Sequence, residues 1–593
     1  MPKLINDPHD FVDEVIEGIL LAHGDRLRAA SDDARAIVRT HEAPGAVGIV
    51  TGGGSGHLPL FLGYVGAGLC SAVAVGNVFS SPSAAQIADA TRAADDGAGV
   101  LYLYGNYGGD VYNFDLAADL VEPNGIRTRT VLGSDDVASA PVDRARSRRG
   151  VAGIFFAYKI AGAAAARGDD LETVAEIAQR AVDRTGTMGV GLSPTVLPTT
   201  GKPSFELAEG QMEIGIGIHG EPGSRTGALS AADDVTDELL DRIVADRGIV
   251  RGTRVAVLVN GMGATPLEEL YVLSRRARHR LDALGALVQR TYVGEFATSL
   301  EMGGASISLL VLDDELAALL DAPADSPFFT QTGVAPHAGI SVAPLAGETE
   351  VARPDGERRL SASPPSSPDP AGPADAAASR DAAAALALGI RGVMPLWARH
   401  TDELRDLDAA LGDGDLGITV ASGAAAIVQA LDGATVDDPS QPLLAAGEAF
   451  ATANPSTFAA LVGGGLLAAA SAVRGRTALD REAVLAALSA LADRIAQRGG
   501  ARPGDKTVLD ALLPSIAALE SAPAGTHADA ATDEALAAMR AAAWTGVRET
   551  AELVSQRGRA SWVGERSAGR ADPGATAYAR LLDAVAEWRE GVA

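Results

Sequence analysis

The chain has 593 residues, with 49 basic against 77 acidic side chains and a formal net charge of −28. That length predicts two or three domains with large cores, and that charge excludes the broad basic surface that nucleic acids or anionic membranes require. A single cysteine, Cys70, excludes a disulfide framework and a cysteine zinc site, and an N-terminus rich in acids with no apolar core predicts a cytoplasmic enzyme.

In chain order, helical spacing predicts a helix over 9–30. The apolar run 46–50 predicts a strand entering the glycine loop TGGGSGH, which ends on His57. Residues 57–88 carry no charged side chain, but Pro59, the glycines, Asn77 and the SSPS at 80–83 divide them into helix, buried strand and loop, so no membrane span is predicted. Strands are predicted at 69–75, 100–104 and 127–132, with helical spacing between them, the pattern of α/β layering. Helices follow at 155–167 and 171–183, and another strand at 187–192.

Residues 212–223 read MEIGIGIHGEPG. Alternation places Ile214, Ile216 and Ile218 on one face of a strand, while the glycines leave the other face open to a ligand. That strand would deliver His219 to a turn containing Glu221, Pro222 and Gly223. The imidazole there is a metal ligand, a base, a nucleophile toward a carbonyl, or a satisfied turn histidine. The functional readings gain from TGGGSGH and from GNYGGD at 105–110, each placed after an apolar run. A strand at 254–259 enters NGMGATP, a helix runs from Pro266 to about Leu284, and strands at 287–293 and 306–312 complete this half.

Residues 347–378 string together Ser, Pro, Asp and Ala without an apolar period, a linker stiffened by proline. Beyond it the chain is rich in Ala and Leu and reads as successive amphipathic helices. The segment 402–417, DELRDLDAALGDGDLG, sets Asp408, Asp413 and Asp415 around a glycine turn, where carboxylates can converge on a hard divalent cation. An EF-hand fails, because its twelfth position would be Ala424. Magnesium bridging nucleotide phosphates is the stronger reading over acids that merely solvate a helix end. GDKTVLD at 504–510 lacks the spacing of a P-loop, and TGGGSGH lacks that of a dinucleotide fingerprint. RASWVGERSAGRADPG at 559–574 combines arginines suited to phosphate with an Asp-Pro-Gly turn.

Taken together, LINDPHDFVDE, TGGGSGH, GNVFSSPSAAQI, GNYGGDVYNFD, MEIGIGIHGEPG, NGMGATP, GEFATSLEMGGASISLL, LDAALGDGDLG, PGDKTVLDALLP and RASWVGERSAGRADPGA resemble the ATP-dependent dihydroxyacetone kinases, including their erythrulose-kinase subgroup. The resemblance implies a multidomain chain: a DhaK-like α/β domain of two α/β subdomains at 1–340, a linker at 341–380, and a DhaL-like all-α eight-helix barrel at 381–593. It implies that His219 holds the ketose as a hemiaminal, that His57 is the general base with Asp110 its partner at the substrate hydroxyl, and that Gly54, Ser55 and Gly56 line the substrate. It further implies two Mg2+ ions on Asp408, Asp413 and Asp415 beneath ATP. The nucleotide would meet Asp413, Gly414, Asp415, Leu416, Ser456, Thr457, Gly499, Thr507, Val508, Arg559, Asp572, Pro573 and Gly574. A homodimer without nucleic-acid or membrane partners completes the expectation.

The chain departs from the family at three places. Gly105 stands where lysine is common, so a cation is lost and space gained near the substrate; Leu416 replaces a histidine; and NPSTFA at 454–459 replaces a glycine-rich nucleotide loop. A ligand-sensing regulatory protein is the alternative, since relatives of both halves serve as such. It would not need His219, His57, Asp110 and the three aspartates together. A DhaL-like fatty-acyl kinase would not need the hemiaminal motif.

Overall fold

The computed structural model describes residues 3–41, 44–333, 373–409, 415–434, 436–453, 456–522, 528–557 and 567–592. The first half holds two six-stranded sheets. In the first, the strand order is Leu27–Ala29, Ala36–Arg39, Ala72–Val78, Gly48–Ser55, Val100–Gly105, Thr128–Gly133. Its last four strands are parallel, and the first two add an antiparallel edge. Strands such as Val100–Gly105 are buried along their whole length, as expected for a parallel sheet covered by helices on both faces.

The second sheet runs Leu287–Gly294, Arg254–Gly261, Gly303–Val311, Thr185–Ser193, Gln211–Ile214, Arg225–Ala228, and only its first two strands are parallel. Between the sheets lies the helix Ile154–Arg167, buried from Ile154 to Ala165. Its side chains share one apolar cluster with Ile49, Val73 and Leu101 of the first sheet and Leu258 and Leu310 of the second. A helix apolar on every side is a core element, and this one joins the two α/β units. The exception on it is Lys159, which donates to the Leu319 carbonyl at 3.1 Å and is pushed down to about 8 by burial.

Two predicted elements differ. The helix expected over 9–30 ends at His23, and Leu27–Ala29 is a strand, because Leu27 is buried in pairing with Ala36–Arg39. The strand expected through Ile218 stops at Ile214, where Gly215 takes φ +81° and turns the chain out of the sheet.

Residues 341–372 of the predicted linker lie outside the described residues, and 373–380 open the helix Pro373–Trp397 instead of continuing the linker. Of the nine α-helices described beyond it, eight have 13 residues or more; the short one is Thr401–Ala409. Each long helix packs on the next, and Pro573–Val592 closes on Pro373–Trp397, so the eight form a barrel. Its interior is an apolar cavity of about 980 Å³. Among the described residues no helix is long and apolar enough to cross a membrane.

Candidate active site

In the first sheet, Gly48–Ser55 lies between Ala72–Val78 and Val100–Gly105, parallel to both. The chain leaves this strand toward one neighbour and returns on the other side, which opens a crevice at the carboxyl ends. Gly54, Ser55, Gly56 and His57 emerge from the central strand, Phe79 from its neighbour, and Asp110 from the first turn of the helix Gly108–Val121.

His57 is held from the second sheet. Its Nδ1 lies 2.8 Å from the Thr298 carbonyl, which can only accept, so Nδ1 carries the proton and Nε2 keeps its lone pair. Leu300 N–H donates to the Gly56 carbonyl at 2.7 Å. Asn260 fixes that loop by accepting from the N–H groups of Phe296 and Ala297 at 2.8 and 2.9 Å. His57 Nε2 is buried without a hydrogen-bond partner, and burial, followed by the nearby His219, brings the ring down to about 3. It is therefore neutral over the whole working range.

His219 arrives from the turn after the broken strand, which is closed by Gly217 N–H to the Glu221 carbonyl at 3.0 Å. Glu221 takes the Nδ1 proton at 3.0 Å on one oxygen and the His219 backbone N–H at 2.9 Å on the other. Although burial alone would raise it, Glu221 sits at about 2, because His219 and Arg149 favour its charge. Arg149 in turn is bound by Asp136 at 2.7 Å. The Glu221 carboxylate and Arg149 guanidinium fill the space where a Cβ at Gly217 would stand, 2.1 and 2.5 Å away, so only glycine fits there.

The two histidine rings meet edge to face at 4.9 Å. Phe79 stacks on His57 at 4.8 Å and meets His219 at 5.3 Å, with its backbone at φ +56°. Tyr107 covers another edge of His219 at 4.8 Å. A Cβ at Gly105 would lie 3.2 Å from the Tyr107 ring, so the space expected from that glycine is taken by tyrosine. Asp110 is pushed up to about 7 by burial, opposed by a hydrogen bond from Ser81, and its Oδ1 has no partner. The predicted His57, Asp110 and His219 thus converge. Phe79, Tyr107, Asn260, Thr298 and Arg149 were not singled out from sequence, and neither was the pairing of Glu221 with His219, for which their two-residue spacing in one turn is the available signal.

At one end of the helical barrel four helix N-termini gather, at Leu416, Thr457, Leu509 and Pro573. Such an end favours phosphate. Asp408 accepts from Leu416 N–H at 3.2 Å. Ser456 caps its helix and lies 3.3 Å from Thr419. Gly574 packs near Val508 and Phe458, and Gly499 near Leu461. Thr507 N–H donates to Asp510 at 2.7 Å. Asp572 caps the last helix through Ala575 N–H at 2.7 Å and is raised to about 7, first by burial and also by the negative charges of Asp510 and Asp408. Among the described residues no group of three or more carboxylate, histidine or cysteine side chains is gathered closely enough to hold a metal ion; Asp408 lies beside the N-terminus at Leu416, and oxygen ligands of that kind suit a divalent cation carrying phosphate. Lys506, in the segment that lacks the spacing of a P-loop, turns inward: its ammonium donates to the carbonyls of Leu553, Ser567 and Arg570 at 3.1, 2.5 and 2.7 Å. Asp413, Gly414 and Arg559 lie outside the described residues.

Residues 17–328 match the Dak1 domain and 410–587 the DAK2 domain. The chain is 38% identical over 595 residues to an L-erythrulose 1-kinase of Mycolicibacterium smegmatis, covering 99% of each. It is similar to the dihydroxyacetone kinase of C. freundii solved with AMP-PNP and Mg2+, at 26% identity, 99% of each chain and a TM-score of 0.52. A dihydroxyacetone kinase operon co-activator is 30% identical, covers 54% of this chain and 98% of its own, and gives a TM-score of 0.51.

Proposed function

The chain belongs to the dihydroxyacetone kinase family, and from that premise we propose that it transfers the γ-phosphate of ATP to a terminal hydroxyl of a short-chain ketose tethered to His219. Dihydroxyacetone and the four-carbon erythrulose are the substrates we put forward. The observation that carries the reading is the meeting of two imidazoles at 4.9 Å with an unpartnered nitrogen on one and the unpartnered Asp110 oxygen beside them.

Glu221 holds the His219 Nδ1 proton, leaving Nε2 as the nucleophile toward the ketose carbonyl carbon. The new N–C bond makes the ring cationic and the former carbonyl oxygen anionic; loss of the Nδ1 proton and protonation of that oxygen give the neutral hemiaminal. An ionised Glu221 stabilises the cationic stage. His57 Nε2 accepts the proton of the attacking hydroxyl, and Asp110 orients that hydroxyl. Phe79 and Tyr107 keep water from the tether. Asp408, Asp413 and Asp415 would hold Mg2+, which would supply neutralisation of phosphate charge. Leu416, Ser456, Thr457, Gly499, Thr507, Val508 and Asp572 to Gly574 receive the nucleotide, and the sequence alone adds Asp413, Gly414 and Arg559.

A tether demands a carbonyl, so glycerol is not a substrate. An ADP-coupled assay with dihydroxyacetone, both erythrulose enantiomers, glyceraldehyde and glycerol tests this: ketose-dependent ADP release that His219→Ala abolishes supports it, and equal turnover of glycerol overturns it. No ketose-dependent release would favour the sensing reading. A ketose-binding domain at 1–340, a linker that ends where the helix Pro373–Trp397 begins and an ATP-binding domain from that helix to 593, with a homodimer and a cytoplasmic location, go with the kinase reading; limited proteolysis, light scattering and cell fractionation test them.

A further inference from the structure

Arg149 lies between the last strand of the first sheet, Thr128–Gly133, and the shared helix Ile154–Arg167. Its guanidinium crosses to the turn that carries His219 on the side of the second sheet. Nε and Nη2 both donate to Asp136 Oδ2, at 2.9 and 2.7 Å; Nη2 also points to the Gly215 carbonyl at 3.4 Å, and Nη1 stands 3.9 Å from Glu221 Oε2. The side chains are 3% exposed at Asp136, 18% at Arg149 and 28% at Glu221, so these charges act on one another more through protein than through water. Asp136 is itself fixed: its N–H donates to the Arg149 carbonyl at 3.1 Å, its Oδ1 accepts from Ala138 N–H at 3.0 Å, and its backbone forms a β-bridge with Thr187 of the second sheet.

Glu221 divides its two oxygens. Oε1 takes the His219 Nδ1 proton, while Oε2, the one that Arg149 approaches, takes the His219 backbone N–H. The cation therefore reaches this pair without competing for the oxygen that grips the ring. A carboxylate alone on Nδ1 favours a second proton at Nε2, and an imidazolium has no lone pair for a carbonyl carbon. A fixed cation behind that carboxylate opposes the second proton and leaves the first in place. The other titratable groups near the ring do not supply this. His57 is neutral, and the Tyr107 phenol, pushed well up by burial, is neutral too. Asp110 adds negative charge only as the pH passes about 7. Asp135 is turned to the N–H groups of Val151 and Gly153, and Glu213 to Gly223 N–H and Thr226.

We propose that Arg149, braced by Asp136, is a positioning residue that governs the charge on His219 through Glu221 and keeps Nε2 open to the ketose at neutral pH. The purpose of this device rests on the kinase reading; its test does not.

The test reads the ring itself. The chain has nine histidines, so carbon-13 at the imidazole Cε1 gives few signals, and His219→Ala identifies the one concerned. In the full chain, Arg149→Met should move the pH midpoint of that signal upward by about one unit or more, Asp136→Asn, which leaves the cation unopposed, should move it downward, and Arg149→Lys should keep it near wild type. Ketose kcat/KM should follow: relative to wild type, Arg149→Met should lose up to about tenfold on the acid side and recover at high pH, with the KM for ATP within about twofold. Midpoints that stay fixed, or that move the same way in Arg149→Met and Asp136→Asn, overturn the proposal, as does a loss of kcat/KM that is equal at every pH. If Arg149→Met does not fold, Asp136→Asn and Arg149→Lys decide it by the same signal. A wild type without ketose-dependent turnover refutes the kinase reading alone, because the midpoints do not depend on turnover.

Discussion

Glu221 grips His219 twice, at the ring Nδ1 at 3.0 Å and at the backbone N–H at 2.9 Å, so a single carboxylate sets both the tautomer and the aim of the ring. A carboxylate in that role is a support whose charge matters more than its shape.

Glu221→Gln keeps the shape and removes the charge. We expect kcat/KM for the ketose to fall about 10–100-fold, as for other residues that orient a reactive imidazole, with ATP affinity unchanged. Steady-state kinetics together with nucleotide titration check this. An equal loss of nucleotide binding would show that the substitution disturbs the fold.

Asp110 predicts a pH dependence of opposite sign for activity and for stability. Its folded value, about 7, lies above its ordinary 3.8. Activity that needs the carboxylate should rise through pH 7, and Asp110→Asn should flatten that limb. Stability contributed by this group is full below about pH 4 and is lost as pH rises to 7, because the folded state holds the proton longer; the difference is at most about 4 kcal/mol. Denaturant midpoints should show Asp110→Asn gaining on wild type between pH 5 and 8. His57, brought down to about 3, changes stability the other way, falling as pH drops from 6.5, and that term is common to both proteins.

Phe79 holds a left-handed backbone in order to lay its ring on His57. Phe79→Ala should admit water, raise the His57 pKa toward its ordinary value, and lower ketose phosphorylation about tenfold. Proton NMR of the imidazole and the ratio of ATP consumed to ketose phosphate formed measure both effects. An unchanged ratio would show that the ring is packing only.

Lys506 is the residue most easily mistaken for a phosphate ligand. Lys506→Met leaves three buried carbonyls without a donor and should cost about 3 kcal/mol in the helical domain, read as a lower Tm. Ketose binding to the other domain should not change.

Much of the site was legible because its parts sit where apolar strands run out into glycine. His57, Asp110 and His219 stand out as candidates that way and lie together in the fold, whereas Ser456, Thr507 and Asp572 entered as nucleotide candidates through the family resemblance. Phe79 was not, since neither a positive φ nor ring stacking leaves a mark on hydrophobic period. Gly215 interrupts an alternation that continues unbroken in sequence, which hid the end of the strand at Ile214. Leu27–Ala29 is too short for its period to stand out from the helix before it. The pairing of Asp115 with Arg498 joins two helices far apart in the chain, each of which alone reads as an ordinary charged face.

His57 and His219 come from different sheets, and neither sheet holds both. Their spacing is thus a property of a seam. A fragment stopping before the second sheet would retain its own strands and glycine loop, yet it would lose the carbonyl that sets one imidazole and the whole of the other, leaving a scaffold with no reactive pair. The proposed chemistry therefore needs both sheets in one fold.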